Sequence, residues 1–145
     1  MAFVNFTVNE LSDLVVHEQD PSVGYARRTI VVQASDTVPV KFGQLVFRAK
    51  NASANAPYAP VTADTALVAT NEFAVAFGDE YGCKKDWIAG AAATAVNTVA
   101  FVKGDVILKD SAILSGVAGM VRGDANYLKM KQLLENQGII IETVV

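Results

Sequence analysis

The stretch Asp124-Ala125-Asn126-Tyr127-Leu128-Lys129-Met130-Lys131-Gln132-Leu133-Leu134-Glu135-Asn136-Gln137-Gly138-Ile139-Ile140-Ile141-Glu142-Thr143-Val144-Val145 changes its hydrophobic period once. Asp124 suits an N-cap, because a short carboxylate accepts from the amides that open a helix. Tyr127, Met130, Leu133 and Leu134 follow at spacings of three and four, the stripe of an amphipathic helix. Gly138 stands where a C′ glycine ends a helix. Beyond it, Ile139 to Val145 is β-branched and reads as a closing strand. This is the one convincing helix. The Ala89 to Ala95 run is a weaker helical candidate, since its alanines favour helix and its flanks favour strand.

Most of the chain upstream reads as strand and turn. Val96 to Val102 and Val106-Ile107-Leu108 look like a strand pair around Lys103-Gly104-Asp105. Gly78 to Gly82 is a turn-rich loop. Phe73-Ala74-Val75-Ala76-Phe77 alternates large with small residues at period two, and Leu67 to Ala69 is a further short strand. Lys50 to Pro60 is a loop rich in Asn, Ala and Pro. Gly43 to Ala49 and Thr29-Ile30-Val31-Val32 are strands, the latter turned by Ala34-Ser35-Asp36. Residues 1–26 differ. Phe6, Val8 and Leu11 suggest a short strand or a helical turn, and Leu14-Val15-Val16 is an apolar patch. Glu18 to Gly24 is a turn or linker. Such a segment is either a packed first element or an arm that orders on a neighbour.

The chain has 145 residues, one ordinary domain, enough to bury a core without metal or disulfide. Apolar residues make up 52% and charged ones only 19%, against about 25% charged in a typical soluble domain. Either the core is unusually well filled or some apolar surface is kept for a partner. The net charge is −3 and no run of Lys and Arg occurs; Arg27-Arg28 and Lys84-Lys85 are doublets, not tracts. A phosphate-tracking surface needs a basic stripe, so nucleic acid is not an expected partner. No stretch approaches the roughly 20 apolar residues of a membrane span. Met1 to Phe6 lacks the charged and apolar regions of an export signal.

Chemistry-bearing residues are few. His17 is the sole histidine and Cys83 the sole cysteine, which excludes two-His motifs, an internal disulfide and multi-thiolate metal sites. A Cys83–His17 dyad is conceivable, but no local motif joins the two. Asp79-Glu80, and Asp105 with Asp110, are carboxylates in turns, without the EF-hand ligand pattern. Neither phosphate-cradling glycine motif occurs. The expectation is therefore no catalytic residues, no cofactor, no metal and no enzyme activity. Trp87, the only tryptophan, belongs either to the core or to an oligomer interface, where tryptophan is enriched.

From about Tyr25 onward, the order of patterns resembles the lambda-type head decoration (cement) proteins of tailed phages. The patterns are Arg28-Thr29-Ile30-Val31-Val32 with Phe42-Gly43-Gln44-Leu45-Val46, then Pro57-Tyr58-Ala59-Pro60, then Phe73 to Phe77 with Asp79-Glu80. Val99-Ala100-Phe101-Val102-Lys103-Gly104-Asp105-Val106 and Leu133-Leu134-Glu135-Asn136-Gln137-Gly138-Ile139-Ile140-Ile141 complete the series. The chain departs from the family pattern in a longer Ile113 to Arg122 link and in Asn51 to Ala56, which reads as an insertion.

The resemblance implies a mainly β fold: a compact β-barrel or β-tulip-like body over residues 25–145, with one C-terminal helix, after an N-terminal arm and linker over residues 1–24. It implies a protein made in the host cytoplasm that assembles on the outer capsid surface, as a trimer with a dimer left open. There it bridges neighbouring major capsid protein subunits of an expanded head. It also implies that the arm adds a strand to capsid protein, with Val4, Phe6, Val8, Leu11, Leu14 and Val15 as contacts. Val4, Phe6 and Val8 share one face of such a strand, and strand addition lets alternate side chains fill pockets. The alternatives are a jelly-roll cement dimer and a head–tail or tail structural protein.

Overall fold

A computed structural model of the chain describes residues 11–19, 26–34, 40–62, 64–79, 87–89, 94–117 and 119–143. It is mainly β. The strands are β1 (Val15–Glu18), β2 (Arg27–Ala34), β3 (Val40–Lys41), β4 (Leu45–Ala49), β5 (Ala59–Pro60), β6 (Asn71–Asp79), β7 (Trp87–Ala89), β8 (Thr94–Phe101), β9 (Val106–Lys109) and β10 (Ile139–Glu142). Two helices, α1 (Asp110–Gly116) and α2 (Ala125–Glu135), lie between β9 and β10.

Five strands form an antiparallel sheet in the order β2-β8-β6-β4-β5, and three form a second sheet, β1-β9-β10; β3 and β7 pair separately. The alternation Phe73-Ala74-Val75-Ala76-Phe77 explains how the large sheet is used. Successive side chains point to opposite faces, and here both faces are buried. Ala74 and Ala76 join Ile30, Val32, Val46, Tyr58 and Ala100 in one apolar cluster. Phe73, Val75 and Phe77 join Leu45 and Phe101 on the other side, against Leu14, Val106, Leu108, Ile139 and Ile141 of the second sheet and Tyr127, Met130 and Leu134 of α2.

The alanine side is narrow because the sheet curls on itself. Tyr58, just before β5, forms a parallel bridge to Val32 of β2. Its N–H donates to the Val31 carbonyl at 2.8 Å and its carbonyl accepts from the Gln33 N–H at 2.7 Å. The two edges meet at that one rung, so the barrel expected from the resemblance is approached but not closed.

The C-terminal unit follows its sequence signals with one adjustment. The Asp124 carboxylate accepts from the Tyr127 N–H at 2.7 Å and caps α2. The cap at the other end is Asn136, still in right-handed helical geometry, and Gly138, at φ 82°, lies two residues beyond it. Gln137 and Gly138 continue a last tight turn onto Leu134 and Glu135 before the chain enters β10. A Cβ on Gly138 would stand 2.9 Å from Gly104 Cα, so the position is restricted by close approach as well as by φ. β9 and β10 are parallel, and a parallel pair requires a crossover; α1 and α2 supply it.

Four expectations are corrected. The strands on either side of Lys103-Gly104-Asp105 do not pair: β8 belongs to the large sheet and β9 to the small one. The Val102 N–H bonds to Ala26 and the Gly104 N–H to Gln137, which leads the chain out of one sheet and into the other. Leu67 to Ala69 is not a strand; a 3₁₀ turn at Asp64–Ala66 precedes it and the Leu67 N–H closes onto Asp64. Helix α1 has no strong signal, since Ser111, Ser115 and Gly116 are indifferent helix formers; fully buried Ile113 and Asp110 hold it in place.

The fourth correction concerns the arm. Leu11–Asp13 is a 3₁₀ turn and β1 pairs with β9, so residues 11–18 belong to the body and not to a separate arm ending at residue 24. Leu14 is wholly buried, and Leu11 and Val15 pack against the same core. The Glu18 carboxylate then accepts from Arg27 Nε at 2.7 Å and Nη2 at 2.6 Å, fastening β1 to the large sheet. Apolar burial and this bidentate pair outweigh the turn-like composition that follows. The Ala89 to Ala95 candidate is flanked by strand on both sides, and residues 90–93 lie outside the described residues.

Candidate functional site

The carboxylates do not converge on a reaction centre among the described residues. Asp105 is exposed. Asp110 is 1% exposed and accepts from Arg122 Nε and Nη2, both at 2.8 Å, from the Tyr127 hydroxyl at 2.8 Å and from the Thr143 hydroxyl at 2.7 Å. The Arg122 guanidinium leads in lowering the Asp110 pKa to about 2, with the two hydroxyls adding to it against the opposing effect of burial. Burial, and then the Asp110 charge, push the Tyr127 phenol upward. A carboxylate saturated by four donors ties the start of α1 to α2 and to the end of β10. It is a fastening, not an acid or base.

His17 lies exposed on β1, and the described residues contain no group of three His, Cys, Asp or Glu side chains suited to a metal. Cys83, Glu80 and the side chain of Asp79 lie outside the described residues, as do Val4, Phe6 and Val8. Trp87 is placed by its backbone alone, opposite Lys41 in the β3–β7 pair; its side chain lies outside the described residues. Of the six proposed arm contacts, Leu14 is enclosed in the chain's own core and Leu11 and Val15 pack against it.

Two surface features stand out instead. The first is the outward face of the three-stranded sheet. His17 and Ile140 both register with Ile107, forming a row across β1, β9 and β10. A register irregularity between Val15 and His17 leaves Val16 45% exposed beside it, and Ile140 is 42% exposed. β1 and β10 are the outer strands of this sheet, each without a further strand partner among the described residues.

The second is a cavity of about 330 Å³ at the seam where the large sheet nearly closes, lined by β2, Arg48, Tyr58, Glu72 and residues 54–56. Arg48 and Glu72 are direct cross-strand partners on β4 and β6 and form an ion pair. The Arg48 guanidinium stacks over the Tyr58 ring at 4.5 Å. Its Nη1 donates to the carbonyls of Ser53, Ala54 and Ala56 at 3.4, 3.3 and 3.0 Å. Burial works against the Arg48 charge, but Glu72 and Tyr58 more than offset it and hold its pKa above the ordinary value. Gln137 seals the base: its Nε2 donates to the Phe73 and Val102 carbonyls at 2.7 and 3.1 Å, and its Oε1 accepts from the Phe73 N–H at 2.8 Å.

Sequence reading singled out neither surface. Arg48 and Glu72 are 24 residues apart, and only strand register makes them neighbours. The one available signal was Tyr58 in its Pro-Tyr-x-Pro loop. No protein-family model, curated protein or solved structure matches this chain.

Proposed function

We propose that the protein is a non-catalytic capsid decoration protein, binding the outer surface of an expanded tailed-phage head and bridging major capsid protein subunits. The observation that supports this reading best is the open-edged β1-β9-β10 sheet, whose outward row His17–Ile107–Ile140 and neighbouring Val16 offer apolar surface. Edges with no strand partner among the described residues suit strand addition, and an apolar face rimmed by polar groups suits docking. The order of patterns from Arg28 to Ile141 supports the family reading through its resemblance, and a trimer is the assembly that resemblance implies. The jelly-roll alternative is not carried forward, because a parallel β9–β10 pair with a helical crossover is foreign to that antiparallel architecture. Among the described residues, no helix is long and apolar enough to cross a membrane.

Repetition over a shell makes modest contacts sufficient, since many linked sites act with far higher avidity than one. The decisive experiment is cosedimentation of the purified chain with expanded heads that lack their decoration protein. Saturable binding and a raised head-disruption temperature are expected, and the double variant Val16→Lys/Ile140→Lys should bind at least about tenfold more weakly at unchanged melting temperature. Heads that neither recruit the chain nor gain resistance to heat would overturn the proposal.

A further inference from the structure

The seam beside β2 has the attributes of a peptide-binding site. In an antiparallel ladder the N–H and C=O of one residue point to the same side, and successive residues alternate. Ala26 turns its carbonyl to Val102 next to β8, so the even residues of β2 face β8 and the odd ones face the open edge. Val31 and Gln33 accordingly turn outward to Tyr58. By the same alternation Thr29 directs its N–H and C=O, and Val31 its N–H, into the cavity that both residues line.

The next rung of the Tyr58 ladder would be Ala56, and it is engaged elsewhere. Its N–H donates to Ser53 at 2.9 Å and its carbonyl accepts from Arg48 at 3.0 Å. Arg48 thereby holds the loop away from β2 and keeps the seam open. A second cavity of about 450 Å³ adjoins the first, sharing Glu72, Val102, Lys103 and Gln137 in its lining.

Charge narrows the choice of occupant. Arg28 and Arg48 line the first cavity with Glu72 as the one acid of its described lining, on a chain whose net charge is −3. With Arg48 paired to Glu72, exposed Arg28 gives this cavity a positive side, which draws in and orients an anionic partner. Main-chain donors and acceptors on a strand edge, without a partner among the described residues, select a polypeptide over a nucleic acid, which presents no complementary amide ladder.

We propose that this cavity binds an extended acidic peptide segment, which adds as a strand to β2 at Thr29 and presents a carboxylate to Arg28. The site concerns the chain itself and stands or falls separately from head binding. The test uses the full-length protein and a blocked peptide of alternating valine and aspartate, followed by amide NMR. Perturbation of the Thr29 and Val31 amides is expected, with affinity falling as salt rises. Arg28 is exposed, so Arg28→Glu should keep the melting temperature and weaken binding by about tenfold; Arg28→Ala, with a smaller loss, is the second variant. A valine–lysine peptide, and a valine–aspartate peptide N-methylated on alternate amides, should not bind. The site is refuted by equal binding of either control peptide, by shifts that avoid β2, by tighter binding of a thymidine oligonucleotide, or by no binding at millimolar peptide.

Discussion

The two faces of β6 meet two different interiors, one filled with alanine and one with phenylalanine. On the first, Ala74, Ala76 and Ala100 line the curl that Tyr58 nearly closes onto β2. On the second, Phe77 and Phe101 stack with ring centroids 4.5 Å apart, covered at their rim by Arg27 at 5.3 and 5.8 Å from the two rings. Both interiors are apolar, but they tolerate opposite errors. The curl is limited by space, because few strands enclose little volume. The larger core is limited by filling, because two sheets and a helix must reach across it with long side chains.

The largest effect should come from emptying the larger core. Phe101→Ala removes a fully buried ring and its stacking contact with Phe77, and should lower unfolding free energy by about 4 kcal/mol in urea titration. A loss below about 1 kcal/mol would show that this core can collapse, and would end the contrast. Next comes the opposite error in the curl. Ala76→Leu adds volume where Ala100 and Val46 leave none, for a loss of about 3 kcal/mol. The same enlargement at exposed Ala95 should stay within about 0.5 kcal/mol.

A third variant tests the charged fastening at the edge of the larger core. Asp110→Asn leaves Arg122 without its ion pair and should destabilise by about 2 kcal/mol at neutral pH. Because the folded pKa lies below the ordinary 3.8, the Asp110 contribution is complete above that value and fades as pH falls toward about 2. The wild-type advantage over the Asn variant should therefore shrink across that window in thermal melts. An advantage that grows there would reverse the assigned sign.

The smallest effect should be a gain. Thr98 is wholly buried on the Ala100 side of β8, and its hydroxyl has no hydrogen-bond partner among the described residues. Thr98→Val keeps the shape and removes the unpaired oxygen, so stability should rise by about 1 kcal/mol. A loss instead would reveal a partner for that hydroxyl, such as a buried water, and the curl would be a partly polar interior.

Local signals carried well where the burden was local. The Asp124 cap, the Tyr127–Met130–Leu134 stripe and the β-branched run after Gly138 all lie within one continuous stretch, and each appears in the structure. The Phe-Ala-Val-Ala-Phe alternation identified a strand correctly, yet not that both its faces are buried. Leu14-Val15-Val16 was legible as apolar and ambiguous as to destination. Pairing with β9 and the Arg27–Glu18 contact decided it, and both partners are remote or lie beyond a linker-like stretch. Helix α1 was illegible because its stability comes from burial of Ile113 and Asp110 and not from propensity.

By itself the sequence determined a mainly β chain with a capped helix near its end, because period, capping and β-branching act within a few residues. It also restricted the chemistry, through one histidine and one cysteine. Only the tertiary structure decided that residues 11–18 are body, that β8 and β9 part into different sheets, and that Arg48 holds a seam open beside β2. Those outcomes depend on which strands become neighbours and in what register. Register is settled by burying both faces of the large sheet at once, a condition no short window of sequence contains.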